Sequence, residues 1–155
     1  MRAGAKSFDD ETGILRPIIL LLENDTSDVF FFRRALARLG YQGSVRIVTG
    51  VTAARNYLEG VGQYEDRSYY PLPDLIVCDM KVFGGTGNQF LEWVRSHDQF
   101  RRIPVVMLSG SSLPQERAAS LDLGARAFYL KTGDMSEMTE RVRDLLGNLP
   151  GGTDE

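Results

Sequence analysis

Residues 73–79 are Pro-Asp-Leu-Ile-Val-Cys-Asp, a short apolar run that stops on an acidic residue. Three further apolar runs stop on a polar residue in the same way: Ile18–Leu22 before Glu23, residues 105–108 before Ser109, and residues 128–130 before Lys131. Short runs of this kind, alternating with helix-like segments, are typical of a parallel sheet covered on both faces. Such sheets bind ligands at the carboxyl ends of their strands. The sequence therefore predicts that these four polar side chains lie close together.

The four side chains are two carboxylates, one hydroxyl and one ammonium group. Carboxylate oxygens are ligands that hard divalent cations prefer. A lysine ammonium meets phosphoryl charge, and a hydroxyl can donate a hydrogen bond to a phosphoryl oxygen. The pattern predicts a site for a divalent cation together with a phosphoryl group.

Length and composition limit the class of protein. The chain has 155 residues, which suits one well-buried core, and a net charge of −3, which gives no support to nonspecific nucleic-acid binding. Its single cysteine, Cys78, excludes an intramolecular disulfide framework and a multi-cysteine metal site. No apolar run approaches the roughly 20 residues that span a bilayer, and residues 1–16 lack a signal-peptide pattern. We expect a cytoplasmic protein that binds neither nucleic acid nor membrane.

We predict one domain at residues 17–147, between a flexible segment at residues 1–16 and a flexible tail at residues 148–155. Five strand-like runs alternate with five helix-like runs in this domain. Residues 60–73 contain two glycines, two prolines and three tyrosines, and are predicted to form an ordered loop insertion. Capping patterns predict that helix one starts at Asp25 or Thr26, helix four at Ser112 and helix five at Asp134.

Several local strings resemble the receiver domains of bacterial two-component response regulators. Ile19-Leu-Leu-Leu-Glu-Asn-Asp25 is similar to the acidic motif after the first strand, and residues 73–79 are similar to the strand that delivers the phospho-accepting aspartate. Pro104-Val-Val-Met-Leu-Ser109 resembles the motif that ends in the switch hydroxyl, and residues 124–131 resemble the approach to the family lysine. Within this family, the chain most resembles the stand-alone regulators of bacterial phytochrome-type kinases. The features that carry this resemblance are the insertion, residues 100–104 and the expectation that no output domain follows residue 147.

The resemblance implies a flavodoxin-like (βα)₅ doubly wound sandwich with a central five-stranded parallel sheet. It implies a single-domain response regulator that accepts a phosphoryl group from a histidine kinase and signals through protein contacts. The protein would act as a catalyst only in its own phosphoryl uptake and release. Asp79 is the implied acceptor, and Lys131 pairs with a phosphoryl oxygen. Ser109 moves toward the phosphoryl group, and Phe128 follows it as the coupled aromatic residue.

The implied metal is Mg²⁺, and its site departs from the family pattern at one position. The implied ligands are Glu23, Asp79 and the backbone carbonyl of Lys81. Where the family most often has a second acidic residue, the chain has Asn24, whose amide carries no charge, so we expect weak Mg²⁺ binding. Asp25 could compensate only if the loop turned its side chain inward, because neighbouring residues of a strand face opposite sides.

Two alternatives come from other classes of protein. A pseudo-receiver with a degraded metal site would be regulated by binding alone, and Mg²⁺-dependent reaction with acetyl phosphate separates it from a receiver. A small flavodoxin-type cofactor protein is disfavoured because residues 23–28 are acidic and lack the glycines that let a backbone approach phosphate.

Aromatic residues indicate an interface. Residues 30–32 are three consecutive phenylalanines that cannot all face one core, and tyrosines lie in the insertion and beside Phe128. Contiguous exposed apolar surface usually marks a contact with another protein. We therefore expect a symmetric homodimer through helix four, strand five and helix five, since Ser109 and Phe128 would transmit the phosphorylation state to that surface.

Overall fold

The structure is a computed structural model that describes residues 7–9, 14–111 and 113–150. Five parallel strands form its central sheet: β1 Ile18–Leu22, β2 Ser44–Val48, β3 Leu75–Cys78, β4 Val105–Ser109 and β5 Ala127–Leu130. Five helices alternate with them: α1 Thr26–Arg38, α2 Val51–Glu59, α3 Gly87–Arg95, α4 Pro114–Asp122 and α5 Met135–Leu146. The strand order is β2-β1-β3-β4-β5, and every neighbouring pair is parallel. The predicted flavodoxin-like (βα)₅ fold is confirmed.

Helices cover both faces of the sheet. Alternate residues of β1 divide between two clusters, with Leu20 and Leu22 packed on the α2 and α3 side, and Ile19 and Leu21 packed on the α1 and α5 side. The central strands β1, β3 and β4 are buried along their whole length. Burial on both faces explains why these strands are unbroken apolar runs in the sequence.

Strand register brings the predicted site residues to one edge. Leu22 of β1 pairs with Cys78 of β3, so Glu23 and Asp79, which follow these residues, lie beside each other. The hydrogen-bond ladder continues past the strand, because the backbone N–H of Asp79 donates to the carbonyl of Leu22 at 3.1 Å. On the other side, the backbone N–H of Lys131 donates to the carbonyl of Ser109 at 2.7 Å.

The three consecutive phenylalanines lie on α1 and point in different directions. Phe32 is buried at 1% exposure, whereas Phe30 is 56% exposed and Phe31 is 36% exposed. A helix turns about 100° per residue, so only one of three successive side chains can point directly at the core. The prediction that this run could not pack into one core is confirmed.

Residues 60–73 contain a short 3₁₀ turn, Gly62–Tyr64, and pack back onto α2. The rings of Tyr64 and Tyr70 lie 5.1 and 5.9 Å from the ring of Tyr57 on α2. The Tyr57 hydroxyl donates to the carbonyl of Pro71 at 2.8 Å. Two of the three tyrosines in the insertion therefore contribute to the fold, whereas Tyr69 is 57% exposed.

The capping predictions are confirmed for the first and last helices. Asp25 caps α1 and Asp134 caps α5, each by accepting a hydrogen bond from a backbone N–H three residues later. The prediction for helix four was wrong by one residue: α4 begins at Pro114, and its N-cap position is Leu113, which has no side-chain oxygen to cap the helix. Ser112 itself lies outside the described residues. Within the part of the chain that the structure describes, no helix combines the length and apolar composition needed to span a bilayer.

The two chain ends were predicted to be flexible, and that remains a prediction. At the N-terminal end, Ser7–Asp9 pairs with Ile14–Arg16 in an antiparallel arrangement. At the C-terminal end, Leu149 packs against the apolar cluster between the sheet, α1 and α5.

Candidate functional site

One ammonium group lies among three carboxylates at the carboxyl edge of the sheet. The Lys131 Nζ atom is 2.9 Å from Oε1 of Glu23, 2.6 Å from Oδ2 of Asp28 and 2.9 Å from Oδ2 of Asp79. An ammonium has three N–H groups, so each carboxylate can accept one of them. The structure thus brings together three of the four strand-end residues that the sequence singled out, and adds Asp28.

Backbone hydrogen bonds fix two of the carboxylates. The second oxygen of Glu23 accepts from the backbone N–H of Asp25 at 3.1 Å, and Oδ1 of Asp79 accepts from the backbone N–H of Met80 at 2.7 Å. Each of these residues therefore has one oxygen held by the chain and the other directed to Lys131. Charge-assisted hydrogen bonds of this kind are stronger than neutral ones, and they hold the site in one arrangement.

Close packing holds Asp79 against α3. A Cβ atom at Gly87, the first residue of α3, would lie only 2.2 Å from the backbone carbonyl oxygen of Asp79. Only glycine therefore fits here. The backbone N–H of Gly87 also donates to the carbonyl of Met80 at 2.8 Å. In this way α3 fixes the position of the chain immediately after β3.

Burial and charge change the acidity of the site. Burial is the largest cause that raises the pKa of Glu23 to about 7; the Asp79 carboxylate also raises it, while Lys131 opposes the change. Burial alone would lower the pKa of Lys131, but the hydrogen bonds to Asp28, Glu23 and Asp79 outweigh it and raise the pKa above its ordinary value. Lys131 is therefore a permanent cation at neutral pH.

An open cleft of about 460 Å³ borders Asp79, and it is lined by Asp28, Asp79, Lys81, Ser109, Gly110, Ser111 and Lys131. Ser109 is buried, and its hydroxyl accepts from the backbone N–H of Ser111 at 3.1 Å. Phe128 is half-buried and packs against the apolar cluster on the α2 and α3 side. The cleft therefore opens beside the Asp79 carboxylate.

Asp28 was not among the site residues inferred from the sequence. It lies in the first turn of α1, three residues after the cap Asp25. Asp25, which the sequence offered as a replacement ligand, uses Oδ1 to cap the helix and accepts from the backbone N–H of Asp28 at 3.0 Å. Asn24 is exposed. A usable signal was present, because the predicted cap placed Asp28 one turn into the helix, over the same edge of the sheet.

The carboxylates suit a hard divalent cation. Ligand oxygens of Glu23, Asp28 and Asp79 all lie within 4.8 Å of one another. Two oxygens on opposite sides of one Mg²⁺ ion are about 4.2 Å apart, since each Mg–O bond is about 2.1 Å long. Shifts of less than about 1 Å would bring the three oxygens to bonding distance of one ion.

Comparison with known proteins places the chain among signalling domains. The family model of the response regulator receiver domain matches residues 19–143. The chain is 31% identical over 96 residues to the phosphate regulon transcriptional regulatory protein PhoB of Escherichia coli. This match covers 62% of the chain and 40% of PhoB. It is 25% identical over 128 residues to response regulator Rcp1 of Synechocystis, and this match covers 83% of the chain and 85% of Rcp1.

Solved structures give the same result. The phosphorylated cyanobacterial phytochrome response regulator RcpA superimposes with a TM-score of 0.79 at 26% identity, over 88% of this chain and 95% of RcpA. The Mn²⁺-bound form of Rcp1 has a TM-score of 0.77 at 25% identity, over 88% of this chain and 97% of Rcp1. The predicted resemblance to phytochrome-type regulators is confirmed. The match to the receiver domain gives no support to the alternative of a flavodoxin-type cofactor protein. The chain belongs to the response regulator receiver domain family.

Proposed function

We propose that this protein is a single-domain response regulator that accepts a phosphoryl group on Asp79 from a histidine kinase and signals through protein contacts. The position of Asp79 carries the proposal. Its Oδ2 atom lies beside an open cleft and 2.9 Å from Lys131. Rcp1 and RcpA are response regulators, and RcpA is a phytochrome response regulator, which favours a phytochrome-type kinase as the donor.

The reaction is nucleophilic catalysis by a carboxylate. An oxygen of Asp79 forms a bond to the phosphorus of a phosphohistidine, and the P–N bond breaks with its electron pair returning to the imidazole nitrogen. Lys131 transfers a hydrogen bond from Asp79 to a phosphoryl oxygen and compensates the added negative charge. Ser109, which lines the same cleft, donates a hydrogen bond from its hydroxyl to another phosphoryl oxygen. Phe128 then moves toward the space that Ser109 leaves.

A divalent cation bound here would supply positive charge that offsets the repulsion between Asp79 and the incoming phosphoryl group. Glu23 and Asp79 would hold it together with the backbone carbonyl of Lys81. We expect the binding of Mg²⁺ to be weak, since Lys131 already occupies the space between the carboxylates. The cation must compete with this ammonium for the same oxygen atoms.

Reaction with acetyl phosphate tests the proposed function. Incubation with acetyl phosphate and Mg²⁺ is expected to add one phosphoryl group, measured by intact-mass spectrometry, and excess EDTA is expected to prevent the addition. The same protein incubated with Mg²⁺ and acetate is the control. An unchanged mass under all conditions would contradict the proposal and favour the pseudo-receiver alternative, in which the domain is regulated by binding alone.

We also propose that the protein forms a symmetric homodimer through α4, β5 and α5. Exposed apolar side chains on α4 and β5 support this surface, with Leu121 and Leu130 each 39% exposed. Sedimentation velocity at micromolar concentrations is expected to show a dimer, and Leu121→Glu is expected to shift it toward monomer. Phe30→Ser, which removes an exposed apolar side chain from α1, is the matched control and should leave the dimer intact.

The phosphorylation state can change dimerisation only through a difference in affinity between two conformations, typically about 1–3 kcal/mol. Beryllofluoride, which imitates a bound phosphoryl group, provides the second state for sedimentation. A monomer in both states would contradict the dimer proposal and leave the exposed residues for a kinase or another partner.

A further inference from the structure

Asp28 has no part in the reaction described above, yet it makes the shortest of the three carboxylate contacts with Lys131. Its Oδ2 atom lies 2.6 Å from Nζ, compared with 2.9 Å for both Glu23 and Asp79. It also lines the cleft next to the acceptor. Asn24, at the position where related domains have a second acidic residue, is exposed.

We propose that Asp28 is a ligand of the divalent cation, and that it supplies the carboxylate that is missing at Asn24. The inference rests on the proposed function, because it concerns the cation that assists phosphoryl transfer to Asp79. In the absence of the cation, Asp28 holds Lys131 between the carboxylates. When the cation binds, Asp28 exchanges the ammonium for the metal, and Lys131 becomes free to meet a phosphoryl oxygen.

Charge balance favours this assignment. When all three are ionised, Glu23, Asp28 and Asp79 carry three negative charges, and Lys131 carries one positive charge. A divalent cation brings the positive charge to three, so the site is neutral only when Asp28 is included. Without Asp28, the same two cations would share two carboxylates, and one positive charge would lack a partner in a partly buried site.

The fold gives Asp28 a defined position with freedom to adjust. Its backbone N–H is fixed by the cap Asp25, and Phe32, one turn further along α1, is buried in the core. Its side chain is 34% exposed, so its carboxylate can move by the small distance that metal coordination requires. The first turn of a helix also favours negative charge, because the free backbone N–H groups point toward it.

Mn²⁺ binding to the unphosphorylated protein tests the inference. Electron paramagnetic resonance measures free Mn²⁺, which takes oxygen ligands in octahedral geometry as Mg²⁺ does. We expect Asp28→Asn to weaken Mn²⁺ binding by at least about tenfold. Asp25→Asn is the matched control, since it removes the same charge one turn away and asparagine is an equally good helix cap. It should change affinity by less than about threefold.

A rescue variant separates ligation from a loss of structure. Asn24→Asp combined with Asp28→Asn moves the carboxylate to the position used by related domains, and it should restore most of the affinity lost in Asp28→Asn. The inference is overturned if Asp28→Asn binds Mn²⁺ as tightly as the wild type, or if Asp25→Asn loses as much affinity as Asp28→Asn. It is also overturned if the double variant does not recover affinity, or if the wild type does not bind Mn²⁺. The acetyl phosphate reaction of the wild type is read separately, so the proposed function can stand when this inference fails.

Discussion

Asp79→Asn is expected to abolish phosphoryl uptake from acetyl phosphate while leaving the fold as stable as before. The amide lacks the nucleophilic carboxylate oxygen that attacks phosphorus, so the loss should be complete. The amide oxygen can still accept the 2.7 Å hydrogen bond from the backbone N–H of Met80. The amide nitrogen then faces Lys131 and cannot accept from it, but Lys131 keeps Glu23 and Asp28 as acceptors. The substitution also removes the negative charge of Asp79, which repels the Glu23 carboxylate. We expect the free energy of unfolding to stay within about 1 kcal/mol of wild type or to rise.

Intact-mass spectrometry measures the uptake, and urea unfolding followed by circular dichroism measures the stability. Asp122→Asn, at an exposed position of α4, is the matched control and should be phosphorylated as fully as the wild type. A phosphorylated Asp79→Asn protein would show that another residue accepts the group. Peptide mapping would then identify it, and Asp28 would be examined first because it shares the cleft.

The central strands could be predicted from the sequence because their burial leaves a direct trace in composition. Strands β1 and β3 have the limits expected from their apolar runs, since a strand covered on both faces tolerates few polar residues. The same reasoning located Glu23 and Asp79, because a strand end is fixed by the register of its neighbour. These predictions needed only the parallel direction of neighbouring strands and the hydrogen-bond pattern between them.

Strand register alone does not give the position of Asp28, although the helix cap indicates that it lies near the same edge of the sheet. Its side chain reaches the site from a helix, and its direction depends on how α1 lies on the sheet and against α5. That arrangement is set by buried residues such as Phe32 and Leu36, which belong to the same apolar cluster as residues of α5. The four-residue spacing of Phe32 and Leu36 places them on one face of the helix, but it does not give the angle between helix and sheet.

Asp25 shows that a helix cap excludes a second role for the same side chain. The sequence identified Asp25 both as a helix cap and as a candidate metal ligand, although these two roles compete for the same carboxylate. In the structure the cap is formed, since Oδ1 of Asp25 accepts the backbone N–H of Asp28. A satisfied cap stabilises a protein by typically about 1 kcal/mol, so turning Asp25 inward would sacrifice that contribution.

Lys131→Met is expected to lower the free energy of unfolding by roughly 2–4 kcal/mol when EDTA removes divalent cations. The substitution keeps an apolar stem of similar length but leaves three carboxylates within 4.8 Å of one another without their cation. Removal of one partner from a buried ion pair typically costs about 3–5 kcal/mol, and the expected loss is smaller because Asp28 is 34% exposed to water. A domain of ordinary stability, about 5–15 kcal/mol, remains folded after this loss.

Urea unfolding in EDTA and in Mg²⁺ measures the effect. Mg²⁺ should recover part of the lost stability in Lys131→Met, because it replaces the missing positive charge and no longer competes with an ammonium. Lys81→Met is the matched control: it removes a lysine charge from the same cleft, and Lys81 is exposed, so stability should change by less than about 0.5 kcal/mol. Equal stability of Lys131→Met and wild type in EDTA would mean that the carboxylates do not depend on Lys131 for compensation. Lys131 would then contribute only to phosphoryl recognition, whereas the expected result makes it the cation that holds the unphosphorylated site together.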